Sequence, residues 1–110
     1  MDDAQHQNHV TLTGRVSGDP EARRLPSGDE IVTFRLVVRR PVTARRRSAQ
    51  VVDTIECVAW TAKLRRRAAT LQDGATVQVT GSLRRRFSRA GGGAQSFYAV
   101  ELASCSPVPV

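Results

Sequence analysis

Arg15, Arg35 and Arg39 lie in stretches where apolar and polar residues alternate, and they fall on the polar side of that alternation. In Val10–Val16, one face carries Val10, Leu12, Gly14 and Val16, and the other Thr11, Thr13 and Arg15. In the next run Val32, Phe34, Leu36 and Val38 point one way, and Thr33, Arg35, Val37 and Arg39 the other. Trp60 has outward parity in a third run, and Lys63, Arg84, Arg86 and Phe87 supply further cations and a second flat ring. Cations spaced along a track, with rings beside them, suit a polyanion that carries unstacked bases. Each base stacked on an aromatic contributes about 1–3 kcal/mol, and each neutralised phosphate adds roughly 0.7 to the salt slope. Stability alone does not explain Arg15 and Arg35, since like charges on neighbouring strands repel.

The other rings and charges read differently. Phe34 and Tyr98 have core parity and are assigned to packing, with the Tyr98 hydroxyl reaching the rim. Phe97 lies on the face opposite Tyr98, where a surface or subunit contact would use it. The face of Phe87 stays open, because a one-residue register change buries it. Arg65, Arg66 and Arg67 read as a solvated helix face that a wrapped polyanion could also cross. Arg23 and Arg24 read as exposed loop charges, and Arg45–Arg47 and Arg85 are divided evenly between the two roles.

Nothing in the chain resembles a catalytic constellation. His6 and His9 sit in a polar leader beside Asp2 and Asp3, where a disordered terminus is the expected reading. The carboxylates are scattered, mostly at turns, and no serine or cysteine has a base beside it. Gly91–Gly93 lack the Lys-Ser/Thr continuation of a phosphate loop. A non-enzyme with no cofactor and no metal is expected.

Composition bounds the rest. A chain of 110 residues is one domain with a modest core, and its net charge of +7 favours a nucleic acid or an acidic surface. Sixteen of the seventeen basic residues are arginine, a bias that genome composition can produce, so it carries little weight. No apolar run is long enough to span a membrane, and a soluble, cytoplasmic, nucleoid-associated protein is the expectation. Cys57 and Cys105 have no zinc spacing; buried reduced thiols are expected, with a disulfide as the alternative.

Five strands and one helix must position these residues. The strands are expected at Val10–Val16, Ile31–Arg39, from Asp53 or Thr54 to Trp60, Thr76–Leu83 and Ser96–Ala103. A Gly/Pro/Asp-rich connection joins the first two, and Arg40–Gln50 reads as an exposed loop. Thr61 caps a helix with Leu64, Ala68 and Leu71 on one face, and Gly74 ends it. Gly81 marks a bend or bulge in the fourth strand, which Arg84–Arg86 and Phe87 extend as a hairpin arm. Leu83 and Tyr98 are assigned inward positions, and Ser88–Gln95 forms a flexible tip. Residues 1–9 are expected to be a disordered leader, 10–105 the domain, and 106–110 the start of a tail that leaves the sheet. Three strands, a helix and two strands define an all-β OB-fold, a five-stranded Greek-key barrel with one helix between strands three and four.

The ordered motifs resemble one family. Gly14-Arg15-Val16, Asp19-Pro20-Glu21, Ser27-Gly28, Val58-Ala59-Trp60 with Lys63-Leu64, Asp73-Gly74, Gly81-Ser82-Leu83-Arg84 and Tyr98 to Glu101-Leu102 match bacterial homotetrameric single-stranded DNA-binding proteins in order and spacing. The resemblance implies sequence-independent binding of single-stranded DNA in replication, repair or recombination. It also implies a homotetramer built as a dimer of dimers, and possible replication or repair proteins as partners. The resemblance carries over Trp60 as the stacking ring; Arg15, Arg35, Arg39, Lys63, Arg84, Arg86 and Phe87 remain candidate contacts by residue type and face, with Phe87 one residue earlier than the family's usual aromatic.

This chain departs from the family pattern at several places. Val42 and Thr54 stand where other members often have aromatics, and Glu56 puts a negative charge on the binding face. The family's acidic, phenylalanine-ended tail is not among these residues: either this is a piece of a longer chain or partners are not recruited in the usual way. These departures keep a second reading in play, a primosomal-accessory-like module that docks protein partners and binds nucleic acid weakly. They also suggest a specialised second copy. An RNA-binding barrel of cold-shock type is disfavoured by the lack of clustered strand aromatics.

Overall fold

A computed structural model describes residues 5–45, 49–88 and 95–109. The elements run β1 (Val10–Arg24), β2 (Glu30–Arg39), α1 (Val42–Arg45), β3 (Val52–Ala59), α2 (Ala62–Ala69), β4 (Thr76–Ser88) and β5 (Gln95–Pro107). The strands close into a barrel in the order β1-β2-β3-β5-β4. Neighbours are antiparallel except β3 and β5, which run parallel with Cys57 opposite Val100. A parallel pair needs a long crossover, and α2 with β4 supplies it. This is the OB-fold expected from the order of elements.

Alternation places the core where the sequence pattern put it. Phe34, Leu36, Cys57, Val77, Val79 and Val100 are buried together, and α2 lays Leu64 and Ala68 into the same cluster. Each large side chain buried this way contributes about 1.5–3 kcal/mol. The helix starts where Thr61 leaves the extended region, its side-chain oxygen accepting the Leu64 N–H at 3.2 Å. After it, Gly74 takes φ 88° and donates its N–H to the Val16 carbonyl at 2.7 Å, tying the helix exit to β1.

Two glycines let strands approach where the barrel turns its corners. At Arg15, β1 is paired with both Val37 of β2 and Thr76 of β4, so the strand hands over from one neighbour to the other. A Cβ on the adjacent Gly14 would collide with the Val37 carbonyl oxygen, and one on Gly81 with the Glu101 carbonyl oxygen. The β4–β5 register shifts between Thr80 and Gly81, which is the irregularity expected at that glycine.

Several boundaries differ from expectation. β1 does not stop at Val16: Gly18-Asp19-Pro20 is absorbed as a register irregularity between Ser17 and Glu21, and pairing with β2 resumes to Arg24. The true turn is Leu25–Asp29, closed by backbone bonds between Leu25 and Asp29 and from Gly28 to Leu25. Within the stretch Arg40–Gln50, Val42–Arg45 form one helical turn, and the middle of the Arg45–Arg47 triplet onward lies outside the described residues. Ser106 and Pro107 stay in the sheet, and Val108 donates to the Thr76 carbonyl. Most of the hairpin tip expected at Ser88–Gln95 also lies outside the described residues. In the leader, the Asn8 amide donates to the Leu83 carbonyl and accepts from the Leu83 N–H.

Leu83 and Tyr98 need correction. Both have inward parity, yet they are 45% and 60% exposed. Pairing of β4 with β5 continues as far as Ser88 and Gln95, beyond buried Val100, so the hairpin outruns the barrel. Parity chooses a face; it cannot supply an opposite wall.

Candidate nucleic-acid interface

The outer face of the sheet is read most directly from its register. One row across the barrel runs Ser17, Arg35, Glu56, Ala99 and Arg84, each opposite the next on the neighbouring strand. The next row includes Glu21, Thr33, Val58 and Glu101. This face is not uniformly polar. Ile31, Val58 and Ala99 form a second buried cluster on the outside of the barrel, with Leu25 and Trp60 packed against it. Val58 shares outward parity with Glu56 and is only 1% exposed.

Ile31 and Val58 of that cluster floor a groove of about 500 Å³. Arg23 and Leu25 stand on the β1–β2 side, and Arg86, Phe87 and Phe97 on the β4–β5 hairpin side. Phe87 is 72% exposed and Phe97 41%, so both rings stand open to a ligand. The Arg86 guanidinium lies 5.5 Å from the Trp60 ring centroid. Further along the hairpin, Arg85 lies 5.5 Å from the Phe87 ring and 6.0 Å from Tyr98. A smaller hollow of about 270 Å³ adjoins the groove, with Arg35 set among Asp19, Glu21 and Glu56. Glu56, Thr33 and Arg23 border both spaces.

The arginines are not equivalent. Arg84 is held by Glu101 at 2.8 Å, Arg24 by Glu30 at 3.0 Å, and Arg23 is near Glu21 at 3.7 Å. Arg40 forks onto Asp53 through two bonds of 2.9 and 2.7 Å. These bonds raise the Arg40 pKa and hold the Asp53 carboxyl below its usual range. Arg65 and Arg67 donate to backbone carbonyls, of Trp60 and Cys105 respectively, and so serve α2 docking. Arg35 and Arg86 form no ion pair among the described residues, which leaves their charge available. Burial pushes the Cys57 thiol up to about 12 and raises Cys105 as well. Both are free thiols.

The sequence-selected residues therefore separate. Arg35, Arg84, Arg86 and Trp60 come together on one outer face, with Phe87 at its hairpin edge. Arg15 and Arg39 are exposed on β1 and β2, at registers opposite Val37 and Val52, away from the groove walls. Lys63 is exposed on α2 and borders a different depression, with Arg67 and Ser104. Arg23 and the apolar floor were missed. The adjacency of Ile31 to Thr33 and Arg35 in outward parity was the available signal for that floor, and β1 running past Pro20 is what carries Arg23 into the wall.

A closed five-stranded Greek-key barrel, with a helix in its crossover and an open cationic, aromatic groove across its outer face, defines an OB-fold binding module. The model of the single-strand binding protein family matches residues 7–104, and the chain belongs to that family. It is similar to single-stranded DNA-binding protein 3 of Listeria innocua, at 37% identity over 79 residues that cover 72% of this chain and 49% of the relative. Its identity to single-stranded DNA-binding protein A of Bacillus subtilis is also 37%, over 72% of this chain and 45% of that protein. The chain thus spans about half the length of the curated relatives it matches. The fold is also that of the Plasmodium falciparum SSB solved in complex with ssDNA, with TM-score 0.77, 22% identity, and 94% and 96% of the two chains covered.

Proposed function

We propose that this chain binds single-stranded DNA without sequence-specific addressing, coating exposed strands in replication, repair or recombination, and that it is not an enzyme. The observation that carries this reading is the groove, with an apolar floor, rings at Phe87 and Phe97, Trp60 packed beside the floor, and on its wall an Arg86 with no ion pair among the described residues. Unstacked bases gain a surface to rest on, while phosphates find cations at the rims. Duplex DNA hides its base faces and would use only the charge. Membership of the single-strand binding protein family supports the same reading.

The remaining expected contacts extend the track. Arg35 continues it across the sheet, Arg84 joins it where a phosphate displaces Glu101, and Arg15, Arg39 and Lys63 act where the strand leaves the groove and wraps. Wrapping requires several copies. Val10–Gly14 pair with β4 but not with β2, so one edge of this segment has no strand partner among the described residues. A second copy pairing there would remove an exposed edge, consistent with a tetramer built as a dimer of dimers.

The test is Trp60 fluorescence, since it is the only tryptophan, titrated with oligo-dT of increasing length at low and high salt. Quenching that saturates at a defined length is the expected result. Binding without quenching, lost in moderate salt and equal for duplex, would instead make this an electrostatic or partner-docking module.

A further inference from the structure

We infer that Glu56 reads the base edge, giving the groove a preference for guanine, which presents two adjacent N–H donors, then for cytosine, which presents an amino group, over thymine. The inference rests on the single-stranded DNA reading and concerns the same groove.

Glu56 occupies the centre of the cross-sheet row, opposite Arg35 on β2 and Ala99 on β5. It is half-buried and borders both the main groove and the smaller hollow beside it. Its carboxylate forms no hydrogen bond or ion pair among the described residues, although Arg35 stands directly across from it. An unpartnered carboxylate in a cationic groove repels phosphate, so the backbone of a bound strand is held towards Arg23 and Arg86 at the walls. The bases then point at the floor, over Ile31 and Val58, with their edges reaching Glu56.

A carboxylate only accepts hydrogen bonds. The edge of an unstacked guanine offers its ring N–H and its amino group side by side, which a carboxylate can take through both oxygens. Cytosine and adenine offer an amino group beside a ring acceptor. Thymine offers a single N–H between two carbonyl oxygens, and those oxygens face the carboxylate unfavourably. Single-strand recognition exposes these edges, which duplex pairing conceals.

The test compares oligo-dT, oligo-dC and an oligo-dT interrupted by 7-deazaguanine, which keeps the guanine N–H edge but prevents quadruplexes. All have one length and one salt concentration, and each is measured with the unaltered protein and with Glu56→Gln. The 7-deazaguanine strand should bind roughly fivefold tighter than oligo-dT or better, the discrimination of a good bidentate contact, with oligo-dC between them. Glu56→Gln, which can donate as well as accept, should erase that order while tightening oligo-dT. Equal affinities in the unaltered protein, or an oligo-dT preference that Glu56→Gln leaves in place, would overturn the assignment and make Glu56 a repulsive charge only. Binding to none of the oligonucleotides would remove the underlying reading, and this inference with it.

Discussion

The Arg86 guanidinium stands 5.5 Å from the centre of the Trp60 ring, although one belongs to the β4–β5 hairpin and the other to the residue just after β3. A cation over an indole face is attracted by the ring quadrupole, by about 0.5–1 kcal/mol when exposed. In the unliganded groove this contact holds the ring beside Ile31 and Val58. A base stacking on Trp60 would displace the guanidinium towards the phosphate next to it, so that one residue would cover the ring at rest and neutralise the strand when bound. Trp60→Ala should weaken oligo-dT binding by about 1–3 kcal/mol. Arg86→Ala should change the Trp60 emission of the free protein and lower the salt slope by roughly 0.7. An unchanged emission spectrum would separate the two residues.

The other arginines sort by whether a carboxylate already holds them. Arg35 forms no ion pair among the described residues, whereas Arg40 is forked onto Asp53. Arg35→Ala should therefore reduce affinity at low salt and lower the slope by roughly 0.7 per lost phosphate. Arg40→Ala should leave the slope unchanged and act on the β2–β3 connection instead. The Asp53 carboxyl is held below its unfolded value, so its contribution to stability is present above that value and is lost as pH falls through the lowered one. Acid unfolding of the Arg40→Ala protein should accordingly lose the part of the pH dependence that Asp53 carries. Salt-titrated binding of the two variants, side by side, checks the assignment.

Much of this was legible in the residues. The alternation Val32, Phe34, Leu36 and the i, i+4 pair Leu64 and Ala68 report burial, and burial is what the structure enforces. What alternation could not report is the second, outer cluster. Ile31 and Val58 have the parity of Arg35 and Glu56, and only the closed topology brings them beside Ala99. Leu83 and Tyr98 fail for the converse reason, because their strands extend past the wall that would have covered them. Pro20 reads locally as a turn, yet β1 absorbs it as an irregularity and so carries Arg23 to the groove. Of the candidate site, the placing of Trp60, Arg35 and Arg86 on one outer face was legible from residue type and parity, whereas the separation of Lys63 from them needed the helix orientation.

The bulge at Gly81 tests the barrel rather than its ligand. A methyl group there meets the Glu101 carbonyl, which is backbone and cannot rotate aside. Gly81→Ala should cost about 1–3 kcal/mol as an overpacking strain, read from the urea midpoint. Ser82→Ala, one residue further along the same strand, should stay within about 0.5 kcal/mol, as for ordinary surface substitutions. A Gly81→Ala protein as stable as the unaltered one would mean that the β4–β5 register slips to make room.

The two buried thiols make a prediction about alkali. Cys57 sits in the core beside Leu36 and Val100, and desolvation raises its pKa from 9.0 to about 12, with smaller contributions from Cys105 and Glu56. The folded protein thus keeps a proton that the unfolded chain gives up first. Stability is at its full value below the unfolded thiol pKa near 9.0 and is lost as the pH climbs towards about 12. At pH 8 the native thiols should react slowly with a disulfide reagent, since the thiolate is the nucleophile, and denaturant should release both at the rate of exposed cysteines. Replacing the thiol with a group that does not titrate, as in Cys57→Ala, should flatten the loss of stability between pH 9 and pH 11. That variant also leaves a small void, so its midpoint at pH 7 should be lower while its slope with pH is shallower. Rapid labelling of Cys57 in the folded protein at pH 8 would contradict the burial of this strand.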